Sequence, residues 1–329
     1  MPTSLDVRNL TVELPTPSGW VRPVNDVSFT LARGETLGIV GESGSGKTML
    51  SLALMGLEPH GGRHQGEAWL HPRNAGTNGD TPRENLLALS PEEMREVRGR
   101  EIAMIFQEPM TALNPVLRIG AQVEEAIRVH EPHASANEIR RRALAAIERA
   151  ALADPDRRAR QYPHQLSGGL RQRVMIAMAL AAGPGVLIAD EPTTALDVTV
   201  QKQILELLAK LRHDLQLSML FITHDLGVVA QVADRVAVMY AGRIVEEGPA
   251  SEVLQAPAHP YTQALLRAAP RLAREKLVPI PGTVPALDAL PAGCAFAPRC
   301  PKYVAQCDAA VPELRAANTN HHARCILVP

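Results

Sequence analysis

Positions 5–14 of the chain alternate between apolar and polar residues, and positions 24–31 do so again with Val27, Phe29 and Leu31 on one face. Period-two alternation predicts half-buried strands, because successive side chains leave opposite faces of a sheet. Thr16, Pro17, Ser18 and Gly19 between them read as a turn. The run Thr36–Val40 is different: it is apolar throughout, as expected of a strand covered on both sides. Similar unbroken runs at 102–106, 186–189 and 219–223 predict further buried strands. Residues 236–240 and 243–246 predict a hairpin turning at Ala241 and Gly242. Helical patterns fill the intervals. They cover 49–57, 171–182 and 200–215, the last with Ile204, Leu207, Leu208 and Leu211 on one stripe. Residues 111–166 read as a helical insert between the two halves of the sheet. Within it Ser135 and Glu138 predict a capping box, followed by Ile139, Ala143, Ile147 and Ala151 at helical spacing. Residues 71–82 are polar and breaker-rich, a surface loop.

Composition changes this layout little. With 329 residues and 46% hydrophobic content, the chain can bury one large α/β domain and a smaller appendage. A net charge of −1 offers no basic stripe for a nucleic-acid backbone, so no nucleic-acid partner is expected. The first residues lack a signal-peptide core, and the longest apolar stretch, 174–189, is broken by Gly183, Pro184 and Gly185. Neither reads as a membrane span, and a soluble, cytosolic chain is expected. From Gly248 onward prolines punctuate a weakly structured run, which places a boundary there: 1–248 as one domain and 249–329 as an extension.

The chemistry begins directly after the first buried strand. Gly41, Glu42, Ser43, Gly44, Ser45, Gly46, Lys47 and Thr48 fit G-x-x-x-x-G-K-[ST] between a strand and a helix. Glycines let such a loop wrap so that successive N–H groups face phosphate oxygens, and the helix N-terminus adds partial positive charge. Lys47 would reach the β and γ phosphates, and the Thr48 hydroxyl would bind Mg²⁺. The strand at 186–189 ends in two carboxylates. Asp190 suits a hold on Mg²⁺, and Glu191 suits a general base or water-polarising role. Gln107 and His224 follow two other buried strands, where a side chain reaches a metal, a water or a γ-phosphate. Leu166, Ser167, Gly168 and Gly169 open another helix, a second anion site of exposed N–H groups. Trp20 is an aromatic for stacking on adenine or a half-exposed packing residue.

In this order the elements resemble those of the ATP-binding cassette (ABC) ATPases. The resemblance spans roughly residues 5–248 and implies an α/β P-loop fold with a mixed core sheet, an antiparallel β subdomain, a helical subdomain near 108–180 and a small cysteine-rich C-terminal appendage. It makes Gln107 the Q-loop residue, also a Mg²⁺ contact. Leu166, Ser167, Gly168, Gly169 and Leu170 form the signature, with Leu170 where the common form has Gln. Asp190 ends the Walker B strand, Glu191 is the catalytic glutamate, Ala195, Leu196 and Asp197 form the D-loop, and His224 is the switch histidine. It further implies that one cassette's signature completes the ATP site of a second cassette. Residues 103–115, 162–166 and 189–200, with His259, Pro260 and Tyr261 in the extension, look closest to the D-type ATPase subunit of dipeptide/oligopeptide importers. Implied partners are a paralogous ATPase, two membrane permeases and a substrate-binding protein. The implied place is the cytoplasmic face of the inner membrane. Nickel, glutathione and antimicrobial-peptide importers share this ATPase type; a soluble ABC ATPase acting on nucleic acid would carry tandem cassettes or basic arms.

All four cysteines lie in the extension: Cys294, Cys300, Cys307 and Cys325. In a reducing compartment such a group points to a metal site rather than disulfides. Thiolates select iron–sulfur clusters or zinc, and zinc sites more often contain a C-x₂-C pair, which is missing. The importer resemblance implies a [4Fe–4S] cluster here. His321 and His322 keep a mixed ligand set open.

Overall fold

The computed structural model describes residues 2–72, 84–194, 196–269 and 278–328. Most of the expected loop at 71–82, together with Ala195 of the expected D-loop, lies outside the described residues. The strands are β1 (Thr3–Thr16), β2 (Gly19–Ala32), β3 (Thr36–Val40), β4 (Arg63–Leu70), β5 (Glu84–Asn85), β6 (Ile102–Ile105), β7 (Val186–Asp190), β8 (Ser218–Thr223), β9 (Arg235–Tyr240), β10 (Arg243–Pro249), β11 (Arg315–Ala316) and β12 (His322–Ala323).

Two sheets form. The alternating strands build an antiparallel sheet in the order β2-β1-β4-β5. The unbroken apolar strands build a mixed sheet in the order β11-β12-β10-β9-β3-β8-β7-β6. Within it β9, β3, β8, β7 and β6 run parallel, whereas β10, β12 and β11 add antiparallel pairs at one edge. Every residue of β3, β7 and β8 is buried, which is why these strands show no alternation.

The pleat sorts the core. Ile188, Leu220 and Ile222 face the side covered by Leu50 and Leu54 of the first helix and by Leu5, Leu10 and Leu31 of the antiparallel sheet. Their neighbours Leu187, Ala189 and Phe221 face the opposite side, packed by Ile119, Ile127, Ile147, Ile176 and Leu208. The region read as one helical insert is a set of separate helices, Ile119–Arg128, Ala136–Arg149 and Pro155–Ala159, followed by Gly168–Leu180. The predicted capping box forms only in part. Ser135 Oγ accepts from the Glu138 N–H at 3.2 Å, but the Glu138 carboxylate accepts from Arg141 at 2.6 Å. A charged donor one turn along draws the carboxylate into an ion pair instead of back to the cap.

The extension is more ordered than its prolines suggest. Pro260 occupies the first turn of the helix Pro260–Ala268, where its missing N–H costs nothing, and His259 caps that helix by accepting from the Tyr261 N–H at 3.0 Å. Burial pushes the His259 imidazole down to about 4, which keeps it neutral and able to accept. Strand β12 pairs with Glu246 and Glu247 of β10, so the last part of the chain joins the edge of the central sheet. Tyr261 and Phe296 of the extension pack on Tyr240 of β9, with ring centroids 4.5 and 5.4 Å from it. The extension therefore shares a core with residues of the first domain, including Val40 and Val236. Among the described residues no helix is long and apolar enough to cross a membrane.

Candidate nucleotide site

The parallel strands align their C-terminal ends. Val40 pairs with Thr223, Ile222 with Asp190, and Ala189 with Ile105. Loops leaving these ends carry the loop at 41–48, Glu191, His224 and Gln107 to one crevice of the open sheet, where ligands of such sheets bind.

The glycine loop has the required shape. Gly44 and Gly46 adopt φ of 80° and 103°, the left-handed region that glycine enters without strain. A Cβ on Gly46 would lie 1.9 Å from the Pro23 carbonyl oxygen. Gly46 also stands at the N-cap of the helix Lys47–Leu54 and offers no capping side chain, so the first-turn N–H groups are left for an anion. Lys47 is buried, and its Nζ donates to the carbonyls of Gly41 at 2.8 Å and Glu42 at 2.9 Å. Burial lowers the Lys47 ammonium from its ordinary value, while the carboxylates of Glu191, Asp190 and Glu42 oppose that shift.

Asp190 sits beneath the loop. Its two oxygens accept from Ser51 Oγ at 3.3 Å and Thr48 Oγ1 at 3.5 Å. Burial raises the Asp190 carboxyl, and these two hydroxyls counter the rise. A hydroxyl and a carboxylate meeting beside the phosphate loop form the oxygen donor set that suits Mg²⁺. Ser51, one helical turn beyond Lys47, was not singled out from the sequence; only its i, i+3 placement after Thr48 hinted at it.

Glu191 collects the other predicted groups. Its Oε2 accepts from Gln107 Nε2 at 3.2 Å and Thr194 Oγ1 at 2.8 Å, and lies 3.2 Å from His224 Nδ1. The hydrogen bond with His224 holds the Glu191 carboxyl below its ordinary value and raises the imidazole. Glu191 itself has φ of 45°, a left-handed backbone that a glutamate adopts only under constraint. Its N–H is fixed to the Ile222 carbonyl at 2.9 Å, which aims the side chain across the crevice.

The signature residues stand apart. Leu166 is buried, whereas Ser167 and Gly168 are exposed at the start of the helix Gly168–Leu180. Ser167 occupies the N-cap position, yet its hydroxyl makes no capping bond. A Cβ on Gly169 would lie 2.5 Å from Val200 Cγ1, so glycine lets this helix pack on the next. Among the described residues no hydrogen bond ties 166–169 to the phosphate loop. Asp197 caps the following helix by accepting from the N–H groups of Thr199 and Val200 at 3.1 and 3.0 Å. Trp20 lies next to the β1–β2 turn, half exposed, with the Arg63 guanidinium 3.9 Å above its ring. An adenine stacking there would share or displace that cation.

The four cysteines are free thiols that line one small cavity of the extension together with His259 and Phe296. Burial and the neighbouring thiols raise Cys294 and Cys300. Among the described residues, however, no group of three or more His, Cys, Asp or Glu is spaced to hold a metal ion. His321 does not line that cavity; its Nε2 is 2.6 Å from the buried Glu246 carboxylate.

A family model described as ABC transporter matches residues 24–194, more than half of the chain. The chain belongs to the ABC transporter ATPase family. It is thus an ABC ATPase, which cleaves ATP to ADP and phosphate. A second model, for the C-terminal region of oligopeptide/dipeptide transporters, matches residues 245–307. A putative peptide import ATP-binding protein of Brucella melitensis is 51% identical to this ABC ATPase, covering 98% of the chain and 96% of the relative. Another from Brucella abortus is 48% identical over 92% of the chain and 89% of the relative. Among solved structures, a dimeric ATP-binding cassette in a post-hydrolysis state with ADP and Pi superposes with a TM-score of 0.63 and 30% identity, over 75% of this chain and 98% of that one. A cassette of Clostridium perfringens, part of the ABC transporter complex cbiONQ, gives a TM-score of 0.63 at 25% identity, over 78% of this chain and 92% of that one.

Proposed function

We propose that this ABC ATPase energises uptake of dipeptides or oligopeptides from a peripheral position on the cytoplasmic face of the inner membrane. The observation that carries the reading is the extension. Residues 245–307 match the oligopeptide/dipeptide transporter region, and they share a core with the nucleotide-binding domain. Two permeases, a substrate-binding protein and a second, paralogous ATPase complete the assembly. Lys47 and the loop N–H groups bind the phosphates of ATP. Thr48 and Asp190, with Gln107, hold Mg²⁺, which when bound neutralises charge developing on those phosphates. Glu191 polarises the attacking water, and Gln107 and His224 contact its carboxylate, so both register whether a γ-phosphate is present. Ser167, Gly168 and Gly169 serve the site of the partner cassette. In proteoliposomes holding the whole assembly, phosphate release should rise several-fold with a peptide-loaded binding protein. Stimulation by nickel or glutathione instead would reassign the cargo.

The four thiols are proposed to hold an iron–sulfur cluster. What supports this is their convergence on one cavity without disulfides. Full-length protein purified without oxygen is expected to be brown and to lose colour and iron in Cys300→Ser. Colourless protein carrying one zinc per chain would contradict the proposal.

A further inference from the structure

The second residue of the phosphate loop is held by the extension at three atoms. Both Glu42 carboxylate oxygens accept from Arg299, from Nη1 at 2.8 Å and Nη2 at 3.0 Å. The Glu42 N–H donates to the Tyr261 hydroxyl at 2.9 Å. These partners lie 257 and 219 residues away in sequence. Arg299 is itself fixed. Its side chain is 4% exposed, Nε donates to the Pro281 carbonyl at 2.8 Å, and Nη1 reaches the Tyr240 hydroxyl at 3.3 Å. Its backbone belongs to a short turn in which Ala297 N–H donates to Cys294 O and Cys300 N–H to Ala297 O. On the other side, the Glu42 carbonyl accepts from Lys47 Nζ at 2.9 Å. A continuous chain of contacts thus runs from the extension through Glu42 to the lysine that meets the nucleotide.

We infer that Arg299 and Tyr261 are positioning residues for ATP binding: they clamp Glu42 and set the conformation in which the phosphate loop presents Lys47. A planar guanidinium facing both oxygens of a carboxylate fixes orientation as well as distance, which a lysine ammonium cannot reproduce. Because the loop must form a cage around phosphate, a small rotation at Glu42 misdirects several N–H donors at once. The inference concerns the ATPase itself and does not rest on which solute is transported.

The test uses full-length chain in its transport assembly. It reads ATP KM, kcat and the thermal midpoint for Arg299→Gln, Arg299→Lys, Glu42→Gln and the Arg299→Gln/Glu42→Gln double variant. Loss of the two charged hydrogen bonds between Arg299 and Glu42, discounted for the partial exposure of Glu42, predicts a KM rise of about three- to tenfold with kcat within about twofold. Arg299→Lys should recover only part of it, and the double variant should be no worse than the worse single, because both changes break one contact. A purely structural ion pair would lower the thermal midpoint and leave the KM of the folded protein unchanged; that result, or strictly additive KM effects, overturns the inference. Should Arg299 variants fail to fold, Tyr261→Phe removes only the hydroxyl and keeps the ring against Tyr240 and Phe296. A KM raised about two- to threefold supports the clamp, and an unchanged KM overturns it.

Discussion

Glu191→Gln is expected to lower ATP turnover by about 10²- to 10⁴-fold while leaving ATP bound, the range for removing a general base. Glutamine keeps the length of the side chain and can still accept, through its amide oxygen, from Gln107 and Thr194, which now approach Oε2 at 3.2 and 2.8 Å. The substitution therefore leaves the crevice assembled and removes the basic oxygen alone. His224 holds the Glu191 carboxyl below its ordinary value, so the wild-type side chain is ionised at neutral pH, as the proposed base role requires. Without that step the cassettes should stay closed over intact nucleotide. The measurement is retention of labelled ATP after gel filtration of the assembly, beside phosphate release. A fully active variant would remove Glu191 from the base role.

Ser167→Arg is expected to abolish hydrolysis, by at least about 10²-fold, with nucleotide binding to this chain's own loop unchanged. Ser167 is exposed, so the substitution should change stability by no more than about 0.5 kcal/mol. Its effect comes from the position. The serine opens the helix Gly168–Leu180 with a hydroxyl that no capping bond occupies. On the proposed shared site, donors placed there would serve a phosphate bound to another cassette. An arginine would fill the space between the two and crowd that nucleotide. Fluorescent-nucleotide titration of the isolated chain and phosphate release by the assembly separate the two effects. Normal turnover would refute the shared site.

Much of this site was legible in the sequence because its parts are local. The loop at 41–48, the acidic end of β7 and the residues after β6 and β8 are short motifs on buried strands, and unbroken apolar runs identify such strands directly. What sequence hid was three-dimensional. The left-handed backbone at Glu191 follows from how β7 and β8 are held together, not from any residue preference. Thr194 became visible only once its hydroxyl met the Glu191 carboxylate. The prolines after Gly248 suggested a loosely built appendage. Instead Pro260 starts a helix, β12 joins the sheet, and Arg299 reaches the phosphate loop over a separation that no local pattern encodes. At Ser135 the motif was right and the partner was wrong, since Arg141 competes for the Glu138 carboxylate. The cysteines were recognisable as a group, and the fold does bring them to one cavity, but spacing along the chain could not set their spacing in space.

The most direct measurement is uptake of a labelled dipeptide into proteoliposomes that carry the assembled transporter, with the cassettes facing the lumen and the binding protein outside. The expected result is accumulation against the peptide gradient only when ATP and Mg²⁺ are trapped inside, lost when this chain carries Glu191→Gln. Equal accumulation without ATP, or with Glu191→Gln, would contradict the account.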